Sequence, residues 1–280
     1  MRARLAFALA LTSLTALTSV ACGASLVKLP SGPGLTAQDG AGALQQATGP
    51  CLTIRTLTAE VAVSGSAGGH RVRARLTAGV SAPASARLEA VAPFGQPFFI
   101  FVATGTDATL LLPRDNRVLE HGRPEEVLDA LTGVPLGAAD LHDTLTGCAS
   151  VPAAGPLQTR AFGDLWRVVA AGHDGELYLH RDGPNAPWRL VAVVSRSDSG
   201  RPWRADYSAF EDHVPRAIRL TSAGSLSSGA FDLQFSLSQV ETNVPLAADA
   251  FSVKIPAAAG PITLEELRRS GPLASKTDAR

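Results

Sequence analysis

Apolar and polar residues alternate along most of this chain with a period of two, the mark of strands with one buried face. Leu57, Ala59, Val61 and Val63 alternate with Thr58, Glu60, Ala62 and Ser64. After a turn at 65–69, Val72, Ala74 and Leu76 alternate with Arg71, Arg73 and Arg75. Ala86, Leu88 and Ala90 lead into the stretch 87–105, RLEAVAPFGQPFFIFVATG, which reads as strand, tight turn, strand. Residues 98–103 form an unbroken apolar run, hence a strand covered on both sides or one lining an apolar cavity. A short hairpin at 109–112 and 117–119 follows around Pro113-Arg114-Asp115-Asn116. Further strands are predicted at 165–171, 176–180, 188–194, 203–210 and 217–221. Phe231, Leu233, Phe235 and Leu237 close the series in strict alternation with polar residues. Gly, Asp and Pro clusters mark the turns between them, so the chain reads as mainly β, an antiparallel sheet or barrel.

The pattern changes between 124 and 147. Pro124-Glu125-Glu126 opens a helix, since Pro suits the first turn and acids suit the positive end of the dipole. Val127, Leu128 and Leu131 share one face, and Gly133 stops it. Leu136, Leu141 and Leu145 make a second short helix that ends at Gly147. These two amphipathic helices, inserted in a run of strands, read as a lid or plug over an open sheet. Residues 36–47 read as a first helix. The tail gives a short strand at 251–255 and a weak helix at 264–269, before an end at 259–280 that reads as a tail with few constraints. No repeat or second domain is apparent, so 36–258 is read as one domain.

The first residues belong to export rather than to the fold. Met1-Arg2-Ala3-Arg4 is a short positive region, followed by an apolar run from Leu5 to Leu17 and then Thr18-Ser19-Val20-Ala21-Cys22. Residues 1–21 read as a secretory signal. Cys22 after a small residue resembles a bacterial lipobox, in which the Cys becomes the acylated first residue of the mature protein. Residues 22–35, rich in Gly, Ser and Pro, read as a lipidated flexible tether. The full chain carries 25 basic and 25 acidic residues. Loss of Arg2 and Arg4 with the signal leaves 23 basic residues against 25 acidic ones. That balance gives no reason to expect a nucleic-acid partner. Two Cys remain, Cys51 and Cys148. In an oxidising compartment they form a disulfide, the alternative being two buried thiols.

The residues offer little catalytic chemistry. The six His have no metal-ligand spacing and there is no HExxH, so no metal site is expected. There is no GxSxG elbow and no Walker loop, and Gly32-Pro33-Gly34 follows no strand. Asp206, Glu211 and Asp212 form no marked carboxylate pair. Trp166, Trp188 and Trp203 fall on late strands, as core, rim or cavity residues. No enzyme and no cofactor are expected. Two features stay open. Phe94, in the turn Pro93-Phe94-Gly95-Gln96-Pro97, is either folded onto its own hairpin or an exposed finger that meets a membrane or lipid. Arg71, Arg73 and Arg75 are either a solvated face or a contact for lipid phosphates or an acidic partner.

Taken in order, these segments resemble the LolB-like outer-membrane lipoproteins, relatives of the LolA lipoprotein carriers. The resemblance rests on Cys22, on Arg87-Leu88 followed by Pro93-Phe94-Gly95 where the family typically has Pro-Leu-Gly, on Leu131-Thr132-Gly133-Val134-Pro135-Leu136, and on the helix closing from Leu141 to Gly147. It is best over 57–147 and fades to strand pattern alone through Ile255. It implies an incomplete, strongly curved antiparallel β-barrel with a short-helix lid. It also implies an apolar cavity for the acyl chains of lipoproteins in transit. Phe98, Ile100, Val102, Leu128, Leu131, Leu141, Leu145, Phe231, Leu233, Phe235 and Leu237 are the candidate wall. By position, Pro93, Phe94 and Gly95 take the place of the membrane-contacting loop. The implied partners are lipoprotein acyl chains or another lipid, a periplasmic LolA-like carrier, and the inner leaflet of the outer membrane. Gly23 after the anchor, rather than Asp, favours that membrane over the inner one. Two alternatives stand beside this reading: a lipid- or glycolipid-binding lipoprotein of the same fold, and a structural or sensory lipoprotein that binds a protein through its sheet.

Overall fold

A computed structural model describes residues 26–91, 96–149, 157–171, 175–196, 202–222 and 230–270. In chain order the strands are Leu35–Thr36 (β1), Thr56–Ala67 (β2), His70–Ser81 (β3), Ser85–Ala90 (β4), Ile100–Thr104 (β5), Asp107–Leu112 (β6), Arg117–Gly122 (β7), Thr159–Phe162 (β8), Trp166–Ala171 (β9), Gly175–His180 (β10), Arg189–Arg196 (β11), Pro202–Glu211 (β12), Val214–Ser222 (β13), Phe231–Thr242 (β14) and Gly260–Pro261 (β15). The helices are Gly40–Leu52 (α1), Pro124–Thr132 (α2), Ala138–Thr146 (α3) and Leu264–Ser270 (α4).

The strands form one curved, unclosed sheet in the order β1-β8-β9-β10-β11-β12-β13-β14-β2-β3-β4-β5-β6-β7-β15. Its centre is the hairpin of β2 and β3, paired without interruption from Thr56↔Ser81 to Ala67↔His70. Gly68 and Gly69, at φ +56° and +81°, make the tight turn that an L side chain would strain. β14 pairs on the other side of β2, and every neighbouring pair is antiparallel except the short β15–β7 contact. The two edges, β1 and β15, are only two residues long, which limits the template a sheet edge offers to another chain.

Period-two alternation sorts the side chains onto an inner and an outer face. The inner rows run from strand to strand in register. One reads Leu237↔Val61↔Leu76↔Ala90, and the next reads Ala59↔Ala78↔Leu88↔Phe101↔Leu110↔Leu119. All four helices cover this face. α1 lies on β9, β10 and β11, α2 on β6, α3 on β2, β3, β4 and β13, and α4 packs on α2. Small residues let the helices sit close: a side chain on Gly122 would come within 2.5 Å of Val127 Cγ2. The predicted ends of α2 and α3 hold, whereas the first helix, expected at 36–47, runs from Gly40 to Leu52 after Thr36 has joined β1. α2 begins at Pro124 and ends at Gly133 in the left-handed region, and α3 ends likewise at Gly147. Cys51, at the end of α1, and Cys148, just beyond α3, are joined by a disulfide with Cα atoms 5.5 Å apart. Beside it, buried His142 donates from Nε2 to the Ile54 carbonyl at 3.2 Å, a second tie between α3 and the exit of α1.

Gly65 lies within the uninterrupted pairing of the long hairpin, in a backbone conformation that L side chains avoid. It has φ +139°, and a Cβ there would lie 2.0 Å from the Asp232 carbonyl oxygen on β14. Gly65→Ala therefore forces both a strained backbone and a separation of β2 from β14. A loss of roughly 2 kcal/mol or more is expected in chemical denaturation. A variant as stable as the wild type would show that the strands yield without cost.

The sequence reading misplaces two segments. Residues 251–255 form no strand. A 3-10 turn at Ala248–Phe251 crosses the outer side of β4 and β5, because Arg87 Nη1 donates to the carbonyls of Ala250 and Ser252 at 3.0 and 2.7 Å. From residue 26 onward, the expected flexible tether is laid across the outer face. Leu29 packs with Val168, Tyr178 and Ala192, and Arg160 Nη1 donates to the Gly32 carbonyl at 3.0 Å. The side chains of Arg204 and Asp206 grip the backbone of Val27 from both sides: its N–H donates to Asp206 at 3.1 Å and its carbonyl accepts from Arg204 at 2.5 Å.

Candidate functional site

The inner face is filled at its centre and unfinished at one rim. Leu128 and Leu131 of α2, Leu141 and Leu145 of α3, and Phe231, Leu233 and Leu237 of β14 are buried in one continuous core. These seven of the candidate wall residues come together where helix meets sheet. Toward the turn of the β2–β3 hairpin the inner-face residues of β3 are only partly covered. Val72, Ala74 and Leu76 on β3, Ala67 on β2 and Phe235 on β14 pack against the core yet stay partly exposed. Phe235↔Val63↔Ala74 form one row, so the half-covered residues are adjacent. The loop after Gly133 is what approaches them, since a side chain there would lie 3.6 Å from Ala67 Cβ.

Phe98, Ile100 and Val102 do not join this group. Phe101 and Ala103 of the same run belong to the inner core, and alternation puts Ile100 and Val102 on the outer face. The run is apolar on both sides because this strand is covered on both sides, the first of the two readings it allowed. Phe98 is 43% exposed, with the Arg114 guanidinium 3.7 Å above its ring centre. Pro93, Phe94 and Gly95, like Cys22, lie outside the described residues. The rim residues Val72, Ala74 and Leu76 had one signal in the sequence, their alternation with three arginines. It identified a half-buried strand but could not reveal that its cover is partial.

Asp39 accepts two hydrogen bonds from Arg167, at 2.7 and 2.8 Å, and that guanidinium holds its carboxyl below the usual carboxylate range. The pair fixes the start of α1 over β9 beside an open hollow of about 400 Å³ lined by Leu35, Ala37, Ala161, Gly163 and Asp164. Burial, with help from Glu176, pushes Tyr178 up to about 12, so it stays protonated. Trp203 is buried on the inner face at the start of β12, and its Nε1 has no hydrogen-bond partner among the described residues. No group of three or more His, Cys, Asp or Glu suited to a metal ion occurs among them. No described helix is long and apolar enough to cross a membrane.

No protein-family model and no curated protein matches this chain. Solved structures do. A LolA-superfamily protein from Nitrosomonas europaea aligns over 76% of this chain and 97% of its own length, at 13% identity and a TM-score of 0.52. A DUF1329-family protein from Desulfovibrio piger aligns over 77% of this chain and 98% of its own, at 11% identity and a TM-score of 0.50. The chain therefore has a LolA/LolB-like fold, a curved open sheet with helices on its inner face.

Proposed function

We propose that this protein is a lipid-anchored envelope lipoprotein that binds acyl chains on the uncovered inner rows at the rim, and that it works without enzymatic chemistry. The observation that carries the reading is the apolar group of Val72, Ala74, Leu76 and Phe235, which pack against the core from β3 and β14 and stay partly exposed. Burial of an alkyl chain there gains about 0.8 kcal/mol per CH₂. Each methylene adds to the gain, and no polar group is needed for it. The indole N–H of Trp203 offers a donor near the same end for the ester or amide carbonyl at which such a chain begins.

Cys22 is the acylated anchor in this reading, and acceptance of lipoproteins from a LolA-like carrier at the outer membrane is its most specific form. Phe94 then contacts the membrane during delivery. The expected result is that envelope-extracted protein carries acyl lipid in native mass spectrometry, and that Phe235→Asp reduces occupancy at least tenfold. Phe94→Glu should keep the bound lipid and lose transfer of a lipoprotein into liposomes. Empty wild-type protein, or unchanged occupancy in Phe235→Asp, would overturn the acyl site. Unimpaired transfer by Phe94→Glu would remove that residue's role and leave a lipid-binding lipoprotein.

A further inference from the structure

The outer face of β3 carries three arginines. Arg71, Arg73 and Arg75 are exposed, share one face, and lie in a row spanning about 14 Å. Their partners on β2 are Ser66, Ser64 and Ala62, and Val91 hydrogen-bonds to the Arg75 carbonyl on the other side. Among the described residues no carboxylate pairs with any of the three. The nearest acids in register are Glu60 and Glu89, on either side of Thr77, and Asp232, which lies across Ser66; Glu89 is held by Arg87, and Asp232 by Arg219 at 2.9 and 2.7 Å. Elsewhere on the outer face arginines are paired, as Arg87 is with Glu89 and Arg204 with Asp206.

The row ends at the same rim that opens onto the inner apolar rows. Val91 and Phe98 emerge there 48% and 43% exposed, with Arg114 stacked on Phe98. Cations beside exposed apolar side chains match the layering of a bilayer surface, phosphate outside and hydrocarbon within. A second observation turns the same face toward the membrane. The grip of Arg204 and Asp206 on Val27 lies on the outer face of β12, so Val27 is only five residue steps along the chain from the anchor cysteine. Five residues reach about 17 Å at most. A chain anchored through Cys22 is thus held with its outer face close to the lipid, and β3 lies four strand spacings from β12, about 19 Å along the sheet.

We infer that Arg71, Arg73 and Arg75 form a docking surface for anionic phospholipid headgroups, which sets the rim of the acyl site against the bilayer. The anchoring half of the argument rests on the lipoprotein reading above, and the arginine row can be tested without it. Mature chain carrying Cys22→Ala is mixed with vesicles of phosphatidylcholine alone or with added phosphatidylglycerol, at low and high salt, and binding is read by co-sedimentation. Binding should require the anionic lipid, fall with salt, and weaken about 100-fold when all three arginines are changed to Glu. Arg268→Glu on α4 should bind as wild type. Retained acyl lipid in the triple variant would show that its fold and inner site survive. Equal binding to both vesicles, or a triple variant that binds like wild type, overturns the inference. So does a wild-type protein that ignores anionic vesicles but binds polyglutamate, which would make the partner an acidic protein. Anion-dependent binding by protein that never carries acyl lipid overturns the proposed function and leaves the docking surface standing.

Discussion

Replacing both Cys51 and Cys148 with alanine should lower the unfolding free energy by about 2–5 kcal/mol, and the melting midpoint by on the order of 10 °C. The bridge spans 97 residues of sequence. It therefore closes a loop that includes both strands of the central hairpin, β4 to β7, and helices α2 and α3. Constraining a loop of that length removes much of the unfolded chain's freedom, about 4–5 kcal/mol in the chain-entropy account. The native side adds to this, because both cysteines are buried in the core where α1 leaves the sheet and α3 ends. A remaining tie there is modest: His142 donates to the Ile54 carbonyl at 3.2 Å. Hydrogen exchange should accordingly speed up first at the end of α1 and through α3. Reductant should lower the wild-type midpoint by the same amount and leave the double variant unmoved. A double variant that melts within about 2 °C of wild type would show that packing alone holds the two helices together.

The residues that announce the fold do so because their physics is local. Val61 and Val63 against Glu60 and Ser64 state a strand with one wet face, and β2 has that burial pattern. Pro124, Gly133 and Gly147 state where helices begin and end through backbone preferences that tertiary contacts did not override. What stayed illegible depends on contacts between distant residues. The strand expected at 251–255 is displaced by a guanidinium at position 87. The tether is pinned by a pair of side chains some 180 residues further along. The apolar run at 98–103 shows the limit most directly. Periodicity says that both faces avoid water, but not which neighbour covers each. Phe101 belongs to the inner core, and Val102 lies on the opposite side. The candidate site is partly legible for the same reason. Its apolar composition can be read from the alternation on β3 and β14. Its partial exposure depends on what packs over it, which no single strand records.

Asp206→Ala should both destabilise the protein and free its N-terminal segment. Asp206 is 2% exposed and holds Arg204 through two hydrogen bonds, at 2.7 and 2.5 Å, while also accepting from the Val27 N–H. Removing it leaves a largely buried guanidinium without its counter-charge. Such a loss costs about 3–5 kcal/mol at a fully buried site, and roughly 2–3 here because the Arg204 side chain remains 19% exposed. Residues 26–34 should then exchange amide hydrogens faster and become open to protease, while the inner core keeps its protection. Replacing both members of the pair, with Arg204→Leu and Asp206→Leu, separates the two effects. Stability should return to within about 1 kcal/mol of wild type, because no buried charge is stranded. The segment should stay loose, because its backbone grip is gone. In a protein anchored through Cys22, as proposed, that looseness would lengthen the leash from five residue steps to about thirteen, from roughly 17 to 45 Å of reach. The β3 arginines would then be held near the bilayer only by their own attraction to it. Salt should release them from anionic vesicles in the doubly substituted protein at concentrations where the wild type stays docked. If both proteins undock at the same salt concentration, the clamp on Val27 serves stability alone and contributes nothing to orientation at the membrane.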